Sequence, residues 1–191
     1  MTRAVQQRAI ETHARLLAAA EGVVAEKGFE ALRVEEVVLR AGTAKGTFFA
    51  HFKDKDALME RIVAARIEAY MDEMEDGTAP QDVAGLVEAV LPLCRFMTCE
   101  RYVFDLILRH SGAAAVEEIG PIAQTFGRQV EIFDGWLATA PFRQDVAGEL
   151  LAEGIHAFMI HAMATQFCAL HNSQPLRDQL SGFLTAWLKP A

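Results

Sequence analysis

The chain has 191 residues, 52% of them hydrophobic, and a formal net charge of −8. That length and apolar share suit one or two small domains with a real core, and no apolar run approaches the roughly 20 residues a transmembrane helix needs. The acidity is uneven: residues 1–55 carry +2 and residues 56–191 carry −10, so the C-terminal part repels DNA and any binding to it falls to local placement in the N-terminal part. The opening stretch, MTRAVQQRAIETHARLL, lacks the apolar core of a secretory signal, which points to a cytoplasmic protein. Cys94, Cys99 and Cys168 are too dispersed for a disulfide framework or a zinc site.

Residues 1–8 read as an arm or an ordinary frayed terminus. A helix over 7–27 follows, with Ile10, Leu16, Leu17, Ala20, Val23 and Val24 as its apolar stripe and Lys27-Gly28 as its stop. Phe29 and Leu32 anchor the next loop. Residues 34–52, VEEVVLRAGTAKGTFFAHF, then give a helix, a tight turn and a second short helix. Val34, Val37 and Val38 recur at helical spacing, and Gly42 supplies the left-handed residue a helix end needs. The second helix, 45–51, is too short to persist without packing, which Phe48 and Phe52 supply from one face. Lys45, Thr47 and His51 then point toward a duplex, with Ala50 small enough to meet a thymine methyl. This is a helix-turn-helix arrangement. Asp54 caps a long helix running to about 74, with Asp56 in its first turn.

From Gly46 to Leu58 the run GTFFAHFKDKDAL resembles the signature of the TetR/AcrR family of bacterial transcription regulators, close to A-G-V-S-x-G-T-x-Y-x-H-F-x-x-K-x-x-L. The matches are Ala41, Gly42, Gly46, Thr47, His51, Phe52, Lys55 and Leu58, in order and in register. The resemblance covers about the first sixty residues. The chain departs from it at Ala44, where the family has a capping Ser, and at Phe49, where a Tyr hydroxyl reaches a phosphate. It also has Arg33 where a Thr often opens the family's second helix. Thr43 is then the replacement cap, and Arg33 is either a charged phosphate contact or a solvated residue. The resemblance implies Arg33, Thr43, Lys45, Gly46, Thr47, Phe49, His51 and Lys55 as the DNA-binding set, with a double-stranded operator as partner. It implies an all-α fold of about nine helices: a helix-turn-helix domain over 1–54, linked through the helix 54–74, and an effector-binding and dimerisation domain over 55–191.

After the polar break at 73–80 the pattern stays helical, with segments at 80–97 (kinked at Pro92), 100–110, 122–137, 144–170 and 176–188, and a short turn at 116–119. The 144–170 segment is apolar nearly all round, so it is buried on two faces, and Ala152, Gly154, Ala157 and Ala164 allow a neighbour close approach. The family pairs its eighth and ninth helices across a homodimer. That implies Ile160, Met163, Phe167, Leu180, Phe183, Leu184 and Trp187 as the interface, against the alternative of a purely internal core. A small, apolar or aromatic effector would sit among Phe96, Met97, Phe104, Ile107, Phe126, Phe133, Trp136 and Met159, with His156 as a polar handle beside His110 and His161; each residue also fits plain core packing.

His156 and His161 are five apart, not a metal pair, and Cys94 and Cys99 can meet only if their helix ends between them. A metal- or redox-responsive regulator on the same fold is the alternative reading, and a non-regulatory interaction protein a more distant one. An enzyme lacks its parts: Gly46 stands outside any glycine-rich phosphate loop, and none of Ser111, Ser173 and Ser181 lies in a nucleophile motif. No catalytic residue, cofactor or metal is expected. The reading is a ligand-responsive repressor that releases a palindromic operator.

Overall fold

The computed structural model describes residues 3–111, 119–168 and 173–189, with side chains from Val5 onward. Among these residues the chain is all helix: α1 (Arg3–Lys27), α2 (Val34–Arg40), α3 (Lys45–His51), α4 (Lys55–Asp76), α5 (Val83–Met97), α6 (Arg101–His110), α7 (Pro121–Thr139), α8 (Gly148–Gln166) and α9 (Leu176–Leu188). The expected arm is absent from residues 3–8, which already form the first turns of α1. Of the expected turn at 116–119 only Ile119 is described, and the expected helix end at Leu170 lies outside the described residues. No helix among the described residues is long and apolar enough to cross a membrane. Contacts divide the chain into two compact units, Met1–Ala64 and Ala65–Ala191, and the division falls inside α4.

In unit 1, Leu16, Ala20 and Val23 form a fully buried stripe along α1, while Ile10, one turn and a half earlier, is 58% exposed. The α2–α3 turn follows from one glycine. Gly42 sits at φ 61°, its N–H donates to the Leu39 carbonyl, and the Thr43 N–H donates to the Val38 carbonyl at 3.0 Å. That pair of bonds satisfies two carbonyls that the end of α2 would otherwise leave open. Phe48 and Phe52 are buried beside the valines of α2, which holds the two-turn α3 in place. At the head of α4 the Asp54 carboxylate accepts from the Ala57 N–H at 2.8 Å, the expected cap.

In unit 2 the close pairs are α7 with α8, α8 with α9 and α5 with α9. Asp82 caps α5 by accepting from the Gly85 N–H at 2.7 Å, and Pro121 opens α7, where a missing N–H costs nothing. The α8–α9 contact depends on a single absent side chain. The Trp187 indole lies over Gly154 and donates to the Leu151 carbonyl at 3.0 Å. A Cβ at Gly154 would fall 2.3 Å from the indole nitrogen. The neighbour that Gly154 admits is therefore α9 of its own chain. α8 is also shorter than its apolar pattern implied, ending at Gln166.

Candidate DNA-binding face and effector site

The residues of α3 divide by face. Phe48 points inward; Lys45, Gly46, Phe49 and Ala50 are exposed; Thr47 and His51 are half-buried. Gly46 has open space where a Cβ would stand, so nothing inside the unit requires a glycine there. Phe49, 49% exposed, keeps a large ring at the surface, edge-on to Phe48 at 5.3 Å. His51 is turned partly inward, its ring 5.7 Å from His13, which itself stacks on Phe52 at 4.7 Å. It is a packing residue as much as a candidate contact. Thr43 does not cap α3: its hydroxyl is buried without a partner, and the N-cap is Ala44, which has no side chain able to accept.

Several cations of unit 1 are already engaged within the chain. Lys45 pairs with Glu35 at 2.6 Å, and this bond lowers the Glu35 pKa. Arg40 joins Glu26 and Glu36, and Lys27 also holds Glu36, so α1 and α2 are tied by one charged network. Sequence reading missed the network because its members are up to fourteen residues apart. Arg33 and Lys55, twenty-two positions apart, converge on one carbonyl: the Arg33 guanidinium donates to Glu30 O at 2.8 Å and the Lys55 ammonium at 3.4 Å. Two cations beside one carbonyl make a spot suited to an anion, since both side chains are donors only.

In unit 2 the residues expected to line a ligand cavity are mostly packed core. Met97, Phe104, Ile107, Phe126, Phe133 and Met159 are each less than a tenth exposed. Phe96 lies tilted against Tyr70 at 5.7 Å and Phe104 stacks on Phe167 at 5.4 Å. Of the expected set, only Trp136 reaches a surface cleft of about 280 Å³, whose other walls include Tyr70, Met74, Pro92, Glu73 and Glu88. The apolar composition was right for burial and silent about where space remains. His156 differs: its ring lies 4.8 Å from Phe126, its Nε2 is buried without a partner, and burial pushes its pKa down. Sequence reading missed Gln129 of α7, which is fully buried with both amide atoms unpartnered.

The expected interface residues also split. Met163, Leu180 and Leu184 are fully buried inside unit 2, so they join α8 and α9 to their own core. Ile160, Phe167, Phe183 and Trp187 are half-buried. Phe183 lies between Phe158 at 5.3 Å and His161 at 5.4 Å, with Trp187 beyond Phe158 at 5.8 Å. Ala157 and Ala164 of α8 and Gly182 and Ala186 of α9 are exposed. Cys94 is buried and its thiol is pushed up to about 12, while burial and then Glu100 raise that of exposed Cys99. Both shifts disfavour the thiolate that redox chemistry needs. No group of three or more His, Cys, Asp or Glu gathers among the described residues.

Residues 16–62 match the profile of bacterial regulatory proteins of the tetR family. An uncharacterized HTH-type transcriptional regulator of Bacillus subtilis, YvdT, is 30% identical over 100 residues, covering 52% of this chain and about half, 52%, of that protein. The HTH-type transcriptional repressor BepR of Brucella suis is 25% identical over 194 residues, covering 97% of this chain and 85% of that one. A crystal structure of Thermus thermophilus FadR, a TetR-family transcriptional repressor in complex with lauroyl-CoA, shares the fold with a TM-score of 0.64 over 92% of each chain at 16% identity. The helix-turn-helix is thus similar in sequence to bacterial regulatory proteins of the tetR family, and the described helices share their fold with a TetR-family repressor.

Proposed function

We propose that the protein is a cytoplasmic DNA-binding transcription regulator, a repressor that acts as a homodimer and leaves a palindromic operator when unit 2 takes a small, largely apolar effector. The observation that carries this reading is the exposed edge of α3, Lys45, Gly46, Phe49 and Ala50, held by two buried phenylalanines and flanked by Arg33 and Lys55. In this scheme α3 enters the major groove, Lys45 and Ala50 face base edges, and Arg33 and Lys55 hold a phosphate. Phe49 packs its ring against the backbone in place of a tyrosine. In this reading residues 1–54 are the DNA-binding domain, linked through the helix 54–74, and residues 55–191 are the effector-binding and dimerisation domain.

One α3 reads too few bases for useful specificity, so two act together, with half-sites about 34–36 Å apart or a multiple of that. The half-buried aromatic row of Phe158, Phe183 and Trp187, bordered by exposed alanines, supports α8 and α9 as the interface. The lauroyl chain of the lauroyl-CoA held in the Thermus FadR structure supports an effector with a large apolar part. The effector favours the DNA-incompetent state only if it binds that state more tightly. Footprinting tests the proposal: short, symmetric protection at one palindrome supports it, and uniform coating or no protection refutes it.

A further inference from the structure

We propose that Gln129 and His156 form the polar end of the effector site, and that their ligand is an uncharged, largely apolar molecule bearing one group that both donates and accepts a hydrogen bond. The inference rests on reading unit 2 as the effector-binding part.

Gln129 is fully buried on α7, and neither its carbonyl oxygen nor its NH2 has a partner. A buried amide left without hydrogen bonds is a net cost to folding, so core packing alone does not account for it. The same unit contains a control. Gln179 is also buried, at 7% exposure, yet its oxygen accepts from the Thr165 hydroxyl at 2.5 Å and its nitrogen donates to the Gln174 carbonyl at 3.2 Å. Thr125, the other buried polar side chain of α7, donates to the Ile122 carbonyl at 2.7 Å. Of the polar side chains of unit 2 that are buried whole among the described residues, Thr125 and Gln179 are hydrogen-bonded and Gln129 is open; single buried atoms without a partner remain on His156 and Gln166.

The second open group lies nearby. His156 Nε2 is buried without a partner, and its ring packs against Phe126, three residues and so one helical turn before Gln129. An amide offers one donor and one acceptor face, and a neutral imidazole offers one of each across its two nitrogens. A hydroxyl or a primary amide answers both. The residues buried in unit 2 among those described include no carboxylate, lysine or arginine, and burial holds the His156 imidazole toward its neutral form, so an ionic headgroup would enter uncompensated. Phe126, Phe133 and Met159 leave the rest of the ligand apolar.

The position also has an outlet. Arg128, adjacent to Gln129, pairs with Asp72 at 2.6 Å and with Glu75, both on α4. A ligand that displaces this turn of α7 pulls on the helix that continues into unit 1.

The test uses the full-length protein with 1-decanol and decanamide as neutral probes and decanoate and decylammonium as charged ones, followed by calorimetric titration. The wild type should bind a neutral probe at least tenfold more tightly than either charged one. Gln129→Leu, which keeps volume and removes the open groups, should raise the unfolding temperature of the unliganded protein and weaken the neutral probes at least tenfold. His156→Phe should show the same loss of probe binding, whether or not the first variant folds. Equal or tighter binding of a charged probe, or variants that bind like the wild type, would overturn the polar-end assignment while leaving unit 2 an effector domain. Binding of no probe at all would count against both.

Discussion

The two compact units hold candidate sites of opposite construction. In unit 1 the proposed DNA-binding set lies within residues 33–55, with Lys45, Gly46 and Phe49 exposed and Thr43, Thr47, His51 and Lys55 half-buried. In unit 2 the open groups, Gln129 and His156, come from two helices and lie in the interior. A surface site of local residues is set by spacing along the chain, and its chemistry is what it displays. An interior site is set by which polar atoms the packing leaves without partners, a property of the assembled helices. The first is expected to respond to charge and salt, the second to shape and hydrogen bonding.

The largest effect expected of a single change falls on packing in unit 2. Gly154→Ala places a methyl where the Trp187 indole sits, 2.3 Å from its nitrogen. It should cost about 1–3 kcal/mol, the usual range for overpacking. Trp136 and Trp187 are the chain's two tryptophans, and both lie in unit 2, so their fluorescence follows that unit as it unfolds. A neutral outcome would break the close α8–α9 packing on which the comparison stands.

Charge on unit 1 is expected to act more gently. Lys55→Ala should weaken binding to operator and random DNA alike and reduce the salt dependence by about one unit. Titrations at several salt concentrations check it, and a loss confined to the operator would make Lys55 a base reader. Glu35→Gln should act in the opposite direction: Lys45 is released from its 2.6 Å ion pair, and DNA binding tightens a few-fold. No gain there would mean that Lys45 does not face the duplex.

The smallest effect is on pH. Burial first, and then His51 and Arg61, hold the His13 pKa below its ordinary 6.5, so folded unit 1 disfavours the proton. Its contribution is therefore complete above 6.5 and is lost as pH falls through the lower folded value. His156 works in the same direction in unit 2. Denaturant midpoints at neutral pH and below 6.5 should show wild-type stability falling, with a shallower fall in His13→Phe.

Much of the fold was legible because each signal was local. Gly42 marked the turn, Asp54 the cap and Phe48 the anchor of α3, and the bounds of α3 and α9 followed from the sequence alone. What failed depended on tertiary partners. Thr43 carries a hydroxyl in a plausible capping position, yet burial takes it away from the helix end. Apolar residues at interface spacing gave no sign that Met163, Leu180 and Leu184 serve their own core. Gln129 was passed over because a glutamine between Arg128 and Glu131 reads as a solvated position until the packing shows that it is buried without partners.

That two α3 helices act together in a two-fold dimer is the claim everything functional depends on. Ala157 tests it well, being small and exposed on α8, one residue before the Phe158 that packs against Phe183. The decisive measurement is sedimentation and operator titration on the same sample of wild type and Ala157→Glu. The dimer mechanism predicts a wild-type dimer bound two chains to one palindrome, and a folded Ala157→Glu monomer that fails to bind where the wild type saturates. A monomer that still binds one operator tightly would contradict it.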